Sequence, residues 1–255
     1  MNIKTVWTLF LVSLFTIVPI KIYSSLMQNS WYLHPVFISV VLVLMALLIV
    51  SIMLCKNFSE IINSKSNIGI GILSALLSIC FVFCGIYYFK DNSAYDFELQ
   101  PLVMSLLSFL SGVSFMFIFL TNILKKNMFK KASFLVFGPV IWFCAKMIMF
   151  LSLSNNNPNI YDIILKSLLL LFFVYQTQIF ISSTDKNIPK RLFIFGLPAI
   201  LASLIHNVPE IISGLYFKSI SNLNLAINIT EIFCAIYILV ILLETQKQNL
   251  RNNDS

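Results

Sequence analysis

Long apolar runs alternate with short polar interruptions along the whole chain. Eight runs stand out, near 5–25, 35–55, 68–89, 101–123, 132–153, 163–183, 192–216 and 223–243. Each is about the 20 residues that a helix needs to cross a bilayer. Within the runs the apolar positions are continuous, not alternating. That pattern selects helices over strands, since lipid leaves only helices or closed barrels as spanning structures. The expectation is an all-α polytopic membrane bundle of eight transmembrane helices with short loops, forming one integral domain over 1–255.

Composition sharpens the picture. Hydrophobic residues make up 59% of the chain and charged residues 11%, with a mean hydropathy of +0.91. A soluble domain carries about 25% charged residues, so a water-soluble fold is excluded. Disorder is excluded too, because it requires low hydrophobicity. The net charge of +7 is not gathered in one patch, which argues against a nucleic-acid partner; the expected partner is the lipid bilayer.

The placement of the basic residues sets an orientation. The N-terminus and every second loop carry Lys4, Lys56, Lys65, Lys125, Lys126, Lys130, Lys131, Lys186, Lys190 and Arg191, and the tail adds Lys247 and Arg251. The opposite loops carry Lys21, Lys90 and Lys218. By the positive-inside rule, this bias puts both termini in the cytoplasm of a plasma-membrane protein. The run from Lys125 to Lys131 is expected at anionic headgroups. The loop near 90–100, with Asp91, Asp96 and Glu98, forms an outward acidic patch, and His34 beside Trp31 and Pro35 is expected at the interface. The first run resembles a signal peptide in its Lys4 and apolar stretch. It lacks a small-x-small cleavage site, so it reads as a retained helix.

Small residues at helical spacing, Gly71, Ser74, Ala75 and Ser78 and then Ser105, Ser108, Ser111 and Gly112, predict close helix–helix contact in lipid. The five cysteines, Cys55, Cys80, Cys84, Cys144 and Cys234, lie in or beside runs and read as apolar fillers. No residue-level repeat relates the two halves. Gln176, Thr177 and Gln178 are expected to bond across helices.

Candidate chemistry is confined to the last four runs. The fifth holds Trp142 and Lys146, and the sixth holds Asp162 and Lys166. The seventh carries Ser203, His206, Asn207 and Glu210; the eighth carries Asn224, Asn228, Thr230 and Glu231. At ~1.5 Å of rise per residue, these groups fall in the same outer half of the bilayer. Spacings of three and four residues keep Asn207 with Glu210, and Asn228 with Glu231, on one face. A charge at the membrane centre costs at least ~2.5–3.5 kcal/mol, so these charges must pair or line a wet cavity. The expected ligand-binding set is Lys146, Glu231, Glu210, His206, Asn207, Asn228, Trp142 and Lys166, around an outward-facing cavity for a small polar solute. Glu210 or His206 would be able to carry a proton. The structural alternative pairs Lys166 with Asp162 at i, i+4 or lets it snorkel outward.

No HExxH, GxSxG, P-loop or dinucleotide fingerprint occurs, and the two histidines leave little for a metal site. No cofactor, metal or catalytic residue is therefore expected. A Ser203–His206 hydrolase and a lipid-modifying enzyme remain as minor readings. The main rival to solute transport is an accessory, sensory or assembly role with a membrane-protein partner. The eight short-looped spans and the Pro139-x-x-Trp142-x-x-x-Lys146 pattern resemble uncharacterised multi-span membrane proteins of Gram-positive bacteria. That resemblance implies no activity.

Overall fold

A computed structural model describes residues 3–27, 35–55, 67–94, 99–124, 133–153, 160–181 and 187–253. Lys56, Lys65, the Lys125–Lys131 run, Lys186, His34, Asp96 and Glu98 lie outside the described residues. Within them the fold is a polytopic helix bundle without strands. Its helices are α1 (Ile3–Leu26), α2 (Pro35–Met53), α3 (Ile68–Ala94), α4 (Leu99–Leu124), α5 (Gly138–Leu153), α6 (Ile160–Phe180), α7 (Ile188–Tyr216) and α8 (Asn222–Asn253). Seven are long and apolar enough to cross a membrane. The apolar part of α2, Phe37–Met53, is shorter and sits at the lower limit of about 17 residues.

The predicted runs correspond to these helices, with instructive differences at their ends. The fifth run begins as a 3-10 turn, Ser133–Phe137, and becomes α-helical only at Gly138. Gly138 is required there: a Cβ would meet the Ser114 hydroxyl and come within 3.0 Å of the Leu110 carbonyl. Helix α7 starts earlier than the apolar run because Ile188 and Pro189 already form its first turn. Lys190 and Arg191 therefore sit on a helix. Lys190 donates to the Met53 carbonyl at 2.7 Å, and Arg191 lies over the Tyr175 ring at 5.3 Å. Lys21, counted above among the outer-loop charges, is instead buried inside α1. Cys144 faces outward and is not a core filler; all five cysteines are free.

Contacts fix the arrangement. Ser78 donates to the Gly112 carbonyl at 2.7 Å, and Ser105 donates to the Gly85 carbonyl at 2.8 Å. Helices α3 and α4 therefore run antiparallel along the small-residue faces predicted for them. Consecutive helices from α3 to α8 pack against one another, and α8 packs back on α3. The six form a closed ring. Helices α1 and α2 pack on α7 from outside that ring, with Trp7 of α1 against Phe193. Helix α7 is the most buried span, at 78%, because α1, α2, α6 and α8 all pack against it. Gly196 lets α8 and α6 approach it, since a Cβ there would come within 3.0 Å of Leu242 and 3.3 Å of Phe172. Elsewhere the outer faces expose Phe15, Val43, Ile72, Leu106 and Ile148. Such a surface suits lipid and not water.

An aromatic layer fills the middle of the ring. Phe81 stacks on Phe115 at 5.4 Å and meets Trp142 edge-on at 5.0 Å. Phe115 in turn meets Phe173 and Tyr237 edge-on, and Phe143 stacks on Phe173. These side chains come from α3, α4, α5, α6 and α8, and all are buried. Gln176 donates to the Tyr237 hydroxyl at 2.5 Å and ties α6 to α8, whereas Thr177 of the same polar group donates to the Val174 carbonyl of its own helix.

Candidate functional site

The polar residues of the last four helices lie on one side of the aromatic layer. In α5, Lys146 is one turn beyond Trp142. In the oppositely directed α8, Glu231 precedes Tyr237. In α6, Lys166 precedes Phe173. The periodicity of each helix thus assigns one turn to the aromatic layer and another to a polar layer.

Two groups of charges make up that layer. In the first, Lys146 Nζ faces Glu231 Oε1 at 3.6 Å. Helices α5 and α8 are not neighbours in the ring, so the lysine reaches across its interior. It also lies over the Trp142 ring at 5.1 Å. Trp142 is held in turn, because its Nε1 donates to the Ser108 hydroxyl at 2.7 Å. Replacing Trp142 by Phe should cost about 1 kcal/mol for that bond and weaken the cation–π contact. Chemical denaturation of the purified variant would read this loss.

In the second group, Lys166 forms an ion pair with Asp162 one turn before it and lies over Phe150 at 4.6 Å. Lys166 is buried, so it pairs and does not snorkel. His206 Nε2 faces Asp162 Oδ1 at 3.3 Å and Glu210 Oε2 at 3.4 Å. The histidine therefore bridges α6 and α7. Glu210 is 44% exposed, unlike Ser203 and Asn207 on the same predicted stripe, which are fully buried.

Two members were missed by the sequence reading of the site. Asp162 was noticed only as a partner for Lys166. Lys21 was assigned to a loop although it falls within the first apolar run; it lies over the Tyr161 ring at 4.2 Å and within electrostatic range of Glu210. With these two included, three lysines face three carboxylates around one histidine.

Between the two groups runs a hydrogen-bonded seam of α7 and α8. Ser203 donates to the Glu231 carbonyl at 3.0 Å, and Asn207 Nδ2 donates to Ser203 Oγ at 3.1 Å. The serine hydroxyl is thus engaged within this seam. Three buried polar atoms here have no hydrogen-bond partner among the described residues: Asn207 Oδ1, Asn228 Nδ2 and Glu231 Oε1. Cys84 and Thr230 share a hydrogen bond at 3.1 Å and close the α3–α8 side. Behind them a cleft of about 200 Å³ opens between α3 and α8, lined by Cys80, Phe83, Tyr87, Leu225, Ile229 and Thr230 among others. Its lining carries no carboxylate. No group of three His, Cys, Asp or Glu side chains among the described residues is arranged to hold a metal ion.

Comparison of the chain with known protein families, with characterised proteins and with solved structures finds no match.

Proposed function

We propose that the protein binds a small zwitterionic solute at Lys146, Glu231, Asn207 and Asn228 and carries it across the plasma membrane. The observation that supports this is the set of unfilled hydrogen-bond valences beside a loose ion pair. Asn207 Oδ1 and Glu231 are acceptors suited to an ammonium group. Asn228 Nδ2 and Lys146 are donors suited to a carboxylate. Each buried polar atom without a partner costs roughly 1–3 kcal/mol, so a site with two such atoms, Asn207 Oδ1 and Asn228 Nδ2, beside a carboxylate oxygen held only by a 3.6 Å ion pair gains from a ligand that fills them. The Lys146–Glu231 contact at 3.6 Å then stands in for the ligand: the two charges neutralise each other until a zwitterion enters between them. In this reading the solute would enter past His206 and the exposed Glu210, with Trp142 beneath Lys146.

The orientation follows from the same reading. Helices α1 and α7 run parallel and α8 runs against them, so Ile3 and the end of α8 share one end of the bundle. Lys4, Lys190, Arg191 and Lys247 belong to that end. The positive-inside rule makes it the cytoplasmic end, and the polar layer faces outward.

A thermal-shift titration of the purified full chain with glycine betaine, γ-aminobutyrate and the common α-amino acids tests the proposal. A solute present at 100 times its Kd adds about 2.7 kcal/mol. At least one zwitterion should raise the melting temperature of the wild type and leave Glu231→Gln unmoved. No shift with any of them, or a shift that survives in E231Q, would overturn the assignment.

A second reading has its own support. Both ion-pair groups join different helices, Lys146–Glu231 across α5 and α8 and His206–Asp162 across α7 and α6. An accessory protein would use them as interhelical ties, and a membrane partner would then co-purify with it.

A further inference from the structure

His206 stands between two carboxylates from different helices, and the same ring nitrogen faces both. Nε2 lies 3.3 Å from Asp162 Oδ1 on α6 and 3.4 Å from Glu210 Oε2 on its own helix. Such a contact needs a hydrogen on Nε2. An imidazolium supplies that hydrogen together with a positive charge that both carboxylates attract. A neutral imidazole supplies at most the hydrogen, and the two carboxylates then face each other across it. Asp162 is also held by Lys166, whereas Glu210 reaches the surface, where protons arrive.

The surroundings isolate this triad. Lys21 on α1 is within electrostatic range of Glu210, and Tyr161 on α6 carries Lys21 over its ring. Helix α8 contributes Glu231, and α5 contributes Lys146, which lies within electrostatic range of Lys166. Helix α2 carries no ionisable side chain between Pro35 and Met53. Three lysines and three carboxylates balance when all are charged, and a proton on His206 adds one positive charge to the layer.

We infer that His206, Asp162 and Glu210 form a proton-binding site at the outer mouth of the polar layer, and that the bound proton clamps α6 to α7. The inference deepens the solute reading and rests on it: it names the proton as the second ligand of the same chamber. Loss of the proton loosens the α6–α7 side and admits solvent to Asn207, Asn228 and Glu231.

The experiment uses the full chain with its native cysteines replaced, carrying Asn228→Cys and exposed to a membrane-impermeant thiol reagent in intact cells. Each rate is divided by that of Ser219→Cys, an exposed position, which removes the intrinsic pH dependence of thiol reactivity. Coupling between two sites typically changes an equilibrium by about 5–150-fold. The ratio is expected to rise at least about fivefold between pH 6 and pH 8.5. His206→Gln should keep the ratio high at both pH values. His206→Lys should keep it low at both, because its charge is permanent. Two opposite variants separate a clamp from a general loss of folding. An equal ratio at both pH values in the wild type, or a pH response that survives in H206Q, overturns the proton site while the solute site stands on its thermal shift. Failure of N228C to react at any pH overturns the proton site and the outward-open chamber together.

Discussion

Replacing Glu231 by Leu is expected to destabilise the protein by about 3–5 kcal/mol, the cost of leaving a buried charge without its partner. The charge in question is Lys146. Its partner is 1% exposed, its Nζ lies over the Trp142 ring, and its own helix carries no acid. Lys146→Met should cost a comparable amount, because it leaves the Glu231 carboxylate inside the ring. The double variant K146M/E231L should recover most of the loss, since a well-packed apolar pair often matches a buried ion pair in stability. Unfolding of the four proteins in mixed detergent micelles would give the coupling. The cycle also separates the two functional readings. Interhelical ties predict a double variant that is both stable and active with its partner. A zwitterion site predicts a double variant that is stable yet shows no solute-dependent shift.

Much of the architecture could be read from the sequence because the bilayer imposes a strict length and forbids exposed backbone. The small-residue faces of α3 and α4 were readable for the same reason: close approach needs Gly and Ser at one helical phase. Helix ends were less readable. Hydropathy does not see that Ile188 and Pro189 begin a helix before its basic pair, or that Ser133–Phe137 winds as a 3-10 turn. The polar layer was readable as depth and phase on single helices, which found Lys146, Glu231, His206 and Asn228. What phase cannot give is azimuth between helices. Nothing in the chain says that α1 docks on α7, and that docking alone brings Lys21 beside Tyr161 and Glu210. Asp162 was hidden by its position at a helix start, where an acid is ordinary. The aromatic layer was also invisible. Phe81, Phe115, Trp142, Phe173 and Tyr237 are five among many aromatics, and only the closed ring brings them together.

That aromatic layer carries the second large prediction. In the proposed carrier a polar chamber on one side must be sealed on the other, and the aromatic layer, with Phe81 stacked on Phe115 and the other rings edge-on, is where that proposal places the seal. Phe115 is the hub, touching Phe81, Phe173 and Tyr237. Phe115→Ala removes all three contacts and should cost about 3–5 kcal/mol. The functional consequence is larger than the loss of stability. Hydrophobic constrictions block water by dewetting, and a missing ring at the hub leaves a path along Trp142 and Tyr237 to Glu231. In inside-out vesicles, Asn228→Cys on the wild-type background should stay unreactive toward an impermeant thiol reagent. With Phe115→Ala added, it should react. Phe115→Leu, which keeps most of the volume, should restore the seal. If N228C reacts from that side with Phe115 intact, the layer is no barrier. If it stays unreactive in a folded F115A protein, the seal lies elsewhere among the rings, and Trp142→Ala becomes the variant that must open it. A purely structural polar layer gives no labelling from either side, whichever ring is removed.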